Sequence, residues 1–207
     1  MTLYILCTML ALMVLWVAHG VRQIGKISKG EPIGKREKTA VILIDLQTVF
    51  WNDSKYDATL KAQVLETIQQ EVLRAKSQGD PIIAVQQEWS QSATKMVAKL
   101  TMKGQAIAGS PGTEIAAPFV GMADHTLVKR VQDAFETGAL DKLLADLDVG
   151  QLRVMGLDGL YCVARTAKAA LGRGIKVTLV KKGILTSDSD KLTTVMQDLR
   201  DEGAQII

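Results

Sequence analysis

Short apolar runs alternate with amphipathic stretches from about residue 39 to residue 207. Runs of roughly four to eight apolar, β-branched residues bounded by turn residues are typical of buried strands. Apolar residues that recur every three or four positions are typical of helices with one buried face. The alternation predicts crossover units, and therefore a mostly parallel sheet with helices on both faces.

The boundaries of the predicted elements follow from these runs. Strands are predicted at residues 40–46, 81–85, 123–128, 152–157 and 175–180, with an edge strand at 204–207. Helices are predicted at residues 56–78, 140–147, 161–171 and 187–202. Residues 88–124 are rich in Gly and Pro and are predicted to form long loops. We therefore expect a three-layer α/β/α domain with a sheet of five to six strands.

The first 21 residues differ from the rest because they carry no charged side chain and are apolar on every face. A transmembrane helix needs roughly 17–25 such residues. The alternative is a cleaved signal peptide, which normally has a basic residue before the apolar run and small residues at its cleavage site. Trp16, His19 and Arg22 stand where small residues would be needed. We expect a retained, single-pass membrane anchor at residues 1–21, with the lipid bilayer as its partner.

A basic segment follows the apolar one. Residues 22–38 contain six Lys and Arg residues and only Glu31 and Glu37 as acidic residues. Basic residues beside a membrane span favour the cytoplasmic side. We therefore expect residues 22–38 to be a basic linker and residues 39–207 to be a globular domain on the cytoplasmic side of the membrane.

Composition and charge narrow the range of functions. The chain is 47% hydrophobic and 23% charged, as expected for a folded protein rather than a disordered one. A formal charge of +3, with basic residues spread along the chain, does not predict a nucleic-acid partner. Cys7 and Cys162 are poor candidates for a disulfide because Cys7 lies within the apolar N-terminal segment.

Three reactive side chains are predicted at one edge of the sheet. Asp45 lies near the end of the first strand, Lys129 follows the third, and Cys162 follows the fourth and opens a helix. Open parallel sheets place their sites at the carboxyl ends of the strands. Taken singly, the three residues have ordinary alternatives: an inert buried thiol, a loop-capping carboxylate and a surface lysine. Together they supply a nucleophile whose pKa a helix N-terminus would lower, a proton acceptor and a cation, as covalent amide hydrolysis requires.

Four segments carry a more specific signal. They are VILIDLQTVF at 41–50, PGTEI at 111–115, KRVQDAFETGAL at 129–140 and GLDGLYCVARTA at 156–167. In this order they resemble the isochorismatase-like cysteine hydrolases, a family that includes nicotinamidases and carbamoylsarcosine amidase. The matching family patterns are a strand ending in Asp-x-Gln-x-x-Phe, a Pro-Gly-Thr-Glu loop, a segment led by Lys, and a Cys-Val-x-x-Thr-Ala helix.

The resemblance implies a role for each reactive residue. Cys162 would attack a carbonyl carbon and form a thioester, and Asp45 would take the thiol proton and pass it to the leaving amine. Lys129 would hold both groups in place electrostatically. The backbone N–H groups of Asp158 and Cys162 would form the oxyanion hole, and the peptide bond between Leu157 and Asp158 would be cis.

The chain departs from the family pattern in three respects. Lys182 and Gly183 stand where the family usually has Asp and Ala after the strand at 175–180. Gly159 and Leu160 stand where the family usually has Thr and Asp. Nicotinamidases of the family bind a metal through an Asp and histidines, whereas this chain has only His19 and His125. Two such distant imidazoles do not build that site. We therefore predict no catalytic metal and no cofactor, and nicotinamidase activity is disfavoured.

The sequence thus predicts a membrane-anchored hydrolase that cleaves an amide or ureido C–N bond in a small molecule. The alternative, suggested by the anchor and the altered turn, is a non-catalytic module for binding or assembly in a membrane complex. Hydrolysis of the vinyl ether of isochorismate is disfavoured because it does not need the cysteine. Trp51, Trp89 and Phe119 are candidates to line the substrate pocket, or to pack in the core. The resemblance leads us to expect a homo-oligomer, and the anchor and altered turn suggest a membrane complex as the alternative.

Overall fold

The computed structural model describes residues 1–207 except for the side chain of Leu3. The helices are α1 (Thr2–Ile24), α2 (Thr48–Trp51), α3 (Ala58–Gln78), α4 (Ser92–Thr101), α5 (Ala139–Asp146), α6 (Ala164–Leu171) and α7 (Ser189–Asp201). The strands are β1 (Lys38–Ile44), β2 (Ile82–Gln87), β3 (His125–Lys129), β4 (Val149–Gly156), β5 (Lys176–Ile184) and β6 (Gln205–Ile206). A wide helical turn (Gly159–Val163) leads into α6.

The six strands form one sheet in the order β3-β2-β1-β4-β5-β6, and every neighbouring pair is parallel. In this register Ile44, the last residue of β1, lies beside Val85 of β2 and Gly156 of β4. Residues that follow these strands therefore meet at one edge of the sheet. The predicted architecture, a mostly parallel sheet of five to six strands in three layers, is confirmed.

Helices cover both faces of the sheet. Alternate residues of a strand point to opposite faces, so each strand contributes side chains to two cores. Ile42 and Ile44 of β1 pack into a core formed with α5, α6 and α7. Val41 and Leu43 pack into a second core formed with α3. Both faces of the central strand are therefore fully buried, which explains why its sequence is a continuous apolar run rather than an alternating one.

One prediction fails in the middle of the chain. Residues 88–124 were expected to be loops, but Ser92–Thr101 form α4, which buries Thr94, Val97 and Ala98. The Gly and Pro residues that suggested loops all lie beyond this helix, from Gly104 onward. They interrupt the chain after α4 and not within it.

The N-terminal helix is long and apolar enough to cross a membrane, with a mean hydropathy of 2.0 over Tyr4–Ile24. It extends three residues beyond the predicted boundary at residue 21. The segment after it contacts the domain, since the backbone N–H of Ser28 donates a hydrogen bond to Asp133 Oδ2 at 2.7 Å. The guanidinium of Arg173 also donates to the carbonyl oxygen of Ser28, at 3.1 Å. Part of the predicted linker is therefore fastened to the domain surface.

Candidate active site

The carboxyl ends of β1 and β3 and the turn after β4 bring Asp45, Lys129 and Cys162 into contact. Lys129 Nζ lies 3.0 Å from Asp45 Oδ2 and 3.3 Å from Cys162 Sγ. Asp45 is 1% exposed and Lys129 is fully buried. Among the described residues, no hydrogen-bond donor pairs with the second carboxylate oxygen, Asp45 Oδ1. The group therefore contains an ion pair, a thiol and a free acceptor.

Backbone geometry aims the carboxylate of Asp45 at this group. Asp45 has a left-handed backbone, with φ of 54°, directly after β1. Its N–H still donates to the carbonyl oxygen of Val85, at 2.8 Å, which holds it beside β2. A positive φ is uncommon for a residue other than glycine and costs about 1 kcal/mol or more, so the surrounding structure must enforce it.

Two glutamines hold the lysine in place. The side chain of Gln87, at the end of β2, accepts a hydrogen bond from Lys129 Nζ, and the carbonyl oxygen of Val131 accepts a second at 3.2 Å. The backbone N–H of Gln87 in turn donates to Gln47 Oε1 at 2.7 Å. Sequence reasoning did not single out Gln87. Gln87 could have been recognised in the sequence, because Gln86 and Gln87 are a polar pair at the end of an otherwise apolar strand.

The turn that carries Cys162 is formed despite the atypical residues Gly159 and Leu160. Asp158 caps it, accepting a hydrogen bond from the Leu160 N–H at 2.9 Å on Oδ1. The hydroxyl of Tyr56 donates to Asp158 Oδ2 at 3.0 Å, so a residue of the loop before α3 also holds the turn. The peptide bond between Leu157 and Asp158 is cis, and this expectation is confirmed.

Burial sets the direction of the pKa shift for Cys162 and Asp45, whereas neighbouring charges set it for Lys129. Burial raises the pKa of the Cys162 thiol, and the negative charge of Asp45 raises it further. Burial also raises the pKa of Asp45, although the charge of Lys129 opposes the shift. For Lys129, burial alone would lower the pKa, but the charges of Asp45 and Cys162 outweigh it and raise the pKa. The expectation of a lowered thiol pKa is therefore wrong, because burial and the neighbouring carboxylate raise the pKa of the thiol.

A cavity of about 340 Å³ lies beside the thiol, and Asp45 and Cys162 are among its lining residues. Its walls include Tyr56, Trp89, Met102, Gln105, Gln132 and Tyr161. Of the three aromatic residues predicted to line a pocket, Trp89 lies here. Trp51 and Phe119 instead pack edge-to-face in the core, with ring centroids 4.7 Å apart, so the prediction is wrong for both. Aromatic residues of a core and of a pocket have the same signature in sequence.

The histidines lie away from this cavity. His19 is on α1, and His125 begins β3 at the opposite end from Lys129, about 13 Å along the strand. Within the described part of the chain, no group of three His, Cys, Asp or Glu side chains is placed to hold a metal ion. The residues present do not fit the metal site that nicotinamidases of the resembled family carry.

Comparisons with known proteins point to one family. The family model described as the isochorismatase domain matches residues 39–207. A streptothricin hydrolase of Streptomyces noursei is 27% identical over 150 residues, which cover 72% of this chain and 50% of that protein. The chain spans about half the length of the curated relatives that it matches.

Solved structures share the fold. A pyrazinamidase/nicotinamidase from Streptococcus mutans UA159 superposes with a TM-score of 0.70 at 22% identity, covering 82% of this chain and all of that one. An isochorismatase family protein from Desulfovibrio vulgaris superposes with a TM-score of 0.71 at 22% identity, covering 83% and 94% of the two chains. At this identity the likeness concerns the fold, while the family model covers most of the sequence. This chain belongs to the isochorismatase-domain family.

Proposed function

We propose that this protein is a membrane-anchored cysteine amidohydrolase that cleaves an amide or ureido C–N bond in a small molecule. The observation that carries the proposal is the position of Lys129 Nζ, which contacts both Asp45 Oδ2 and Cys162 Sγ, two residues that line a cavity. A nucleophile, a proton acceptor and a cation within hydrogen-bond reach of one another form an arrangement suited to covalent hydrolysis.

The raised pKa of the Cys162 thiol defines how the nucleophile is activated. The thiol is protonated at rest, so Asp45 removes its proton as the sulfur attacks the carbonyl carbon of the substrate. The new S–C bond gives a tetrahedral intermediate, and its C–N bond then breaks while Asp45 returns the proton to the leaving amine. Water attacks the thioester next, giving its proton to Asp45. The carboxylic acid leaves, and the proton restores the thiol.

The negative oxygen of the intermediate needs hydrogen-bond donors. In the turn after β4, the N–H of Gly159 donates to Leu185, and the N–H groups of Tyr161 and Val163 donate to the carbonyl oxygen of Asp158. We assign the oxyanion hole to the backbone N–H groups of Asp158 and Cys162, as the family resemblance implies. Removal of one such donor typically costs about a hundred- to a thousandfold in rate.

The anchor is the second part of the proposal. Its support is the length and apolar character of α1, whose side chains are mostly exposed in the folded chain. We place the anchor at residues 1–21, the basic segment at 22–38 and the hydrolase domain at 39–207. The six basic residues of the basic segment favour the cytoplasmic side for the domain.

The test uses the full-length protein in lipid vesicles, with the variant Cys162→Ala and, as a matched control, Cys7→Ala. A panel of small amides and ureido acids is screened for release of ammonia or amine. We expect Cys162→Ala to lose turnover by about a thousandfold or more, and Cys7→Ala to keep it. Mass spectrometry of the acid-quenched protein should detect an acyl group on Cys162.

Turnover that survives in Cys162→Ala would contradict the mechanism. If no substrate shows cysteine-dependent turnover and the domain instead purifies with stoichiometric partners, the non-catalytic module is the better description.

A further inference from the structure

We propose that the active-site cavity opens at the membrane surface, and that its substrates are amphipathic amides whose apolar chain enters from the bilayer. This inference rests on the proposed function, because it assigns a substrate class to the same site. It starts from one structural relationship: the helix that would span the membrane packs against the helix that forms a wall of the cavity.

The last turns of α1 pack closely on α4. A Cβ atom added at Gly20 would lie 2.8 Å from the carbonyl oxygen of Ala93, so the two helices meet backbone to backbone at a point that only glycine allows. Further along α1, Ile24 is 5% exposed and belongs to one apolar cluster with Trp89 and Ala98. The end of α1 is therefore packed against the domain beside α4.

The residues next to this contact line the cavity above Cys162. Trp89 precedes α4, Thr101 ends it and Met102 follows it, and all three are in the cavity wall. Gln132 is also in the wall, and its backbone N–H donates to the carbonyl oxygen of Ile24 at 3.0 Å. A single residue thus separates the last turn of α1 from the space in which substrate would bind.

The position of the first charge sets the depth of the cavity relative to the bilayer. Arg22 is the first charged side chain of α1, and it marks where the helix leaves the hydrocarbon layer. Ile24 is two residues further on, about 3 Å along the helix axis. The cavity wall that contacts Ile24 therefore lies within about one helical turn of the membrane surface.

The outer surface of α4 has the character of an interfacial helix. Lys99 and Leu100 are both exposed, and Leu100 is 65% exposed. Lysines beside exposed apolar residues suit the headgroup region, where the apolar residues enter the lipid and the ammonium groups reach the phosphates. Lys95, one helical turn before Lys99, adds a further positive charge.

The lining of the cavity matches a substrate with two unlike ends. The reactive groups Asp45 and Cys162 line one part of the cavity and would receive the amide there. Phe50, Trp89 and Met102 give the cavity apolar surface beside α4, where Thr101 and Gln132 add polar groups. Because about 340 Å³ is at the small end of the range for ligand sites, a longer chain would extend past the mouth along α4. An acyl amide with an apolar tail fits this arrangement.

Access is tested first, by labelling that does not depend on hydrolysis. The full-length variant Leu73→Cys, in vesicles of phosphatidylcholine with one-quarter phosphatidylglycerol, is treated with N-dodecylmaleimide or N-ethylmaleimide. Leu73, at 67% exposed, matches Leu100. It lies near the C-terminal end of α3, which returns the chain to the edge of the sheet opposite the candidate active site. The rate of labelling at each thiol is read by peptide mass spectrometry.

The ratio of the dodecyl rate to the ethyl rate cancels the intrinsic reactivity of each thiol. We expect this ratio to be at least about tenfold greater at Cys162 than at the thiol introduced by Leu73→Cys, because only the first is reached from the bilayer. A smaller difference, or no labelling of Cys162 by the dodecyl reagent, would overturn the proposed route of entry.

Turnover supplies the second readout, using a series of primary amides from acetamide to dodecanamide. We expect kcat/KM to rise with chain length in the unmodified protein, and Leu100→Glu to reduce the dodecanamide value about tenfold while sparing acetamide. Leu73→Glu, the matched control, should change neither value.

The bilayer route of substrate entry and the proposed hydrolase activity can each fail without the other. Cysteine-dependent hydrolysis of acetamide without any gain along the series would overturn the bilayer route and leave the proposed function standing. Selective dodecyl labelling of Cys162 with no hydrolysis of any amide would support the route and count against the enzyme.

Discussion

The ammonium of Lys129 and the carboxylate of Asp45 lie 3.0 Å apart, and both side chains are almost completely shielded from solvent. An isolated buried charge costs several kcal/mol, so each of these groups depends on the other to remain ionised. Cys162 Sγ contacts the same ammonium at 3.3 Å. A change to either charged residue therefore shifts the pKa of the other and of the Cys162 thiol.

Replacing the carboxylate should affect catalysis and thiol reactivity in opposite directions. Asp45→Asn removes the proton acceptor, and we expect kcat/KM to fall by about a hundredfold or more. It also removes the negative charge that raises the thiol pKa and leaves the thiolate of Cys162 as the anion that can keep Lys129 ionised, so alkylation of Cys162 by iodoacetamide at pH 7 should become faster. Asp190→Asn, at an exposed position of α7, is the control and should change neither rate. Slower alkylation together with lost turnover would contradict this account.

The pH profile should follow the two raised pKa values. The reactive form has an ionised Asp45 and a protonated Cys162. The pKa of Asp45 is above its ordinary value of about 3.9. As the pH is lowered, kcat/KM should therefore begin to fall before pH 4 is reached. Because the thiol pKa is also raised, its ionisation should cause no loss of activity up to about pH 8.5. Profiles of kcat/KM from pH 3.5 to 9 test both limbs, and an acid limb below pH 4 would show that the pKa of Asp45 is not raised.

A buried arginine should contribute strongly to stability. Arg173 is 1% exposed, pairs with Asp141 at 2.6 Å, donates to Ser28 and lies over the ring of Phe135. Arg173→Met leaves the partner groups without their hydrogen bonds, and we expect it to lower the free energy of unfolding by about 3 kcal/mol.

Urea denaturation of the full-length protein in detergent micelles measures the effect of Arg173→Met. The control is Lys142→Met, which breaks the exposed pair with Asp146 and should have little effect. Equal effects of the two changes would show that burial of Arg173 does not matter.

A glycine at the end of β4 is required by the close approach of β1. A Cβ atom at Gly156, where φ is 119°, would lie 2.2 Å from the carbonyl oxygen of Ile44, the residue before Asp45. Gly156→Ala should therefore destabilise the fold by more than about 3 kcal/mol and displace Asp45. Gly174 also has a positive φ, of 75°, but no atom lies near its added Cβ. Gly174→Ala should cost only the backbone strain, about 1–2 kcal/mol, in the same denaturation assay.

Local pattern was sufficient for much of the fold. The apolar run that became β1 and the stripe that became α3 were predicted to within two residues, because burial on both faces or on one face leaves a direct periodic signal. Asp57 caps α3 and Gly79 ends it with a φ of 72°, so short-range chemistry set these boundaries. α4 was missed because the Gly- and Pro-rich stretch after it dominated the reading of residues 88–124.

The sequence by itself determined the three-layer architecture, the apolar N-terminal helix, the edge of the sheet where Asp45, Lys129 and Cys162 meet, and the family resemblance of the segments around them. These depend on residue order and periodicity. Only the tertiary structure decided that Gln87 supports Lys129, that Trp51 and Phe119 belong to the core, and that burial raises the thiol pKa. It also decided that α1 ends against the wall of the cavity. Solvent exclusion and contacts between distant segments arise only when the layers pack, and a one-dimensional pattern does not contain them.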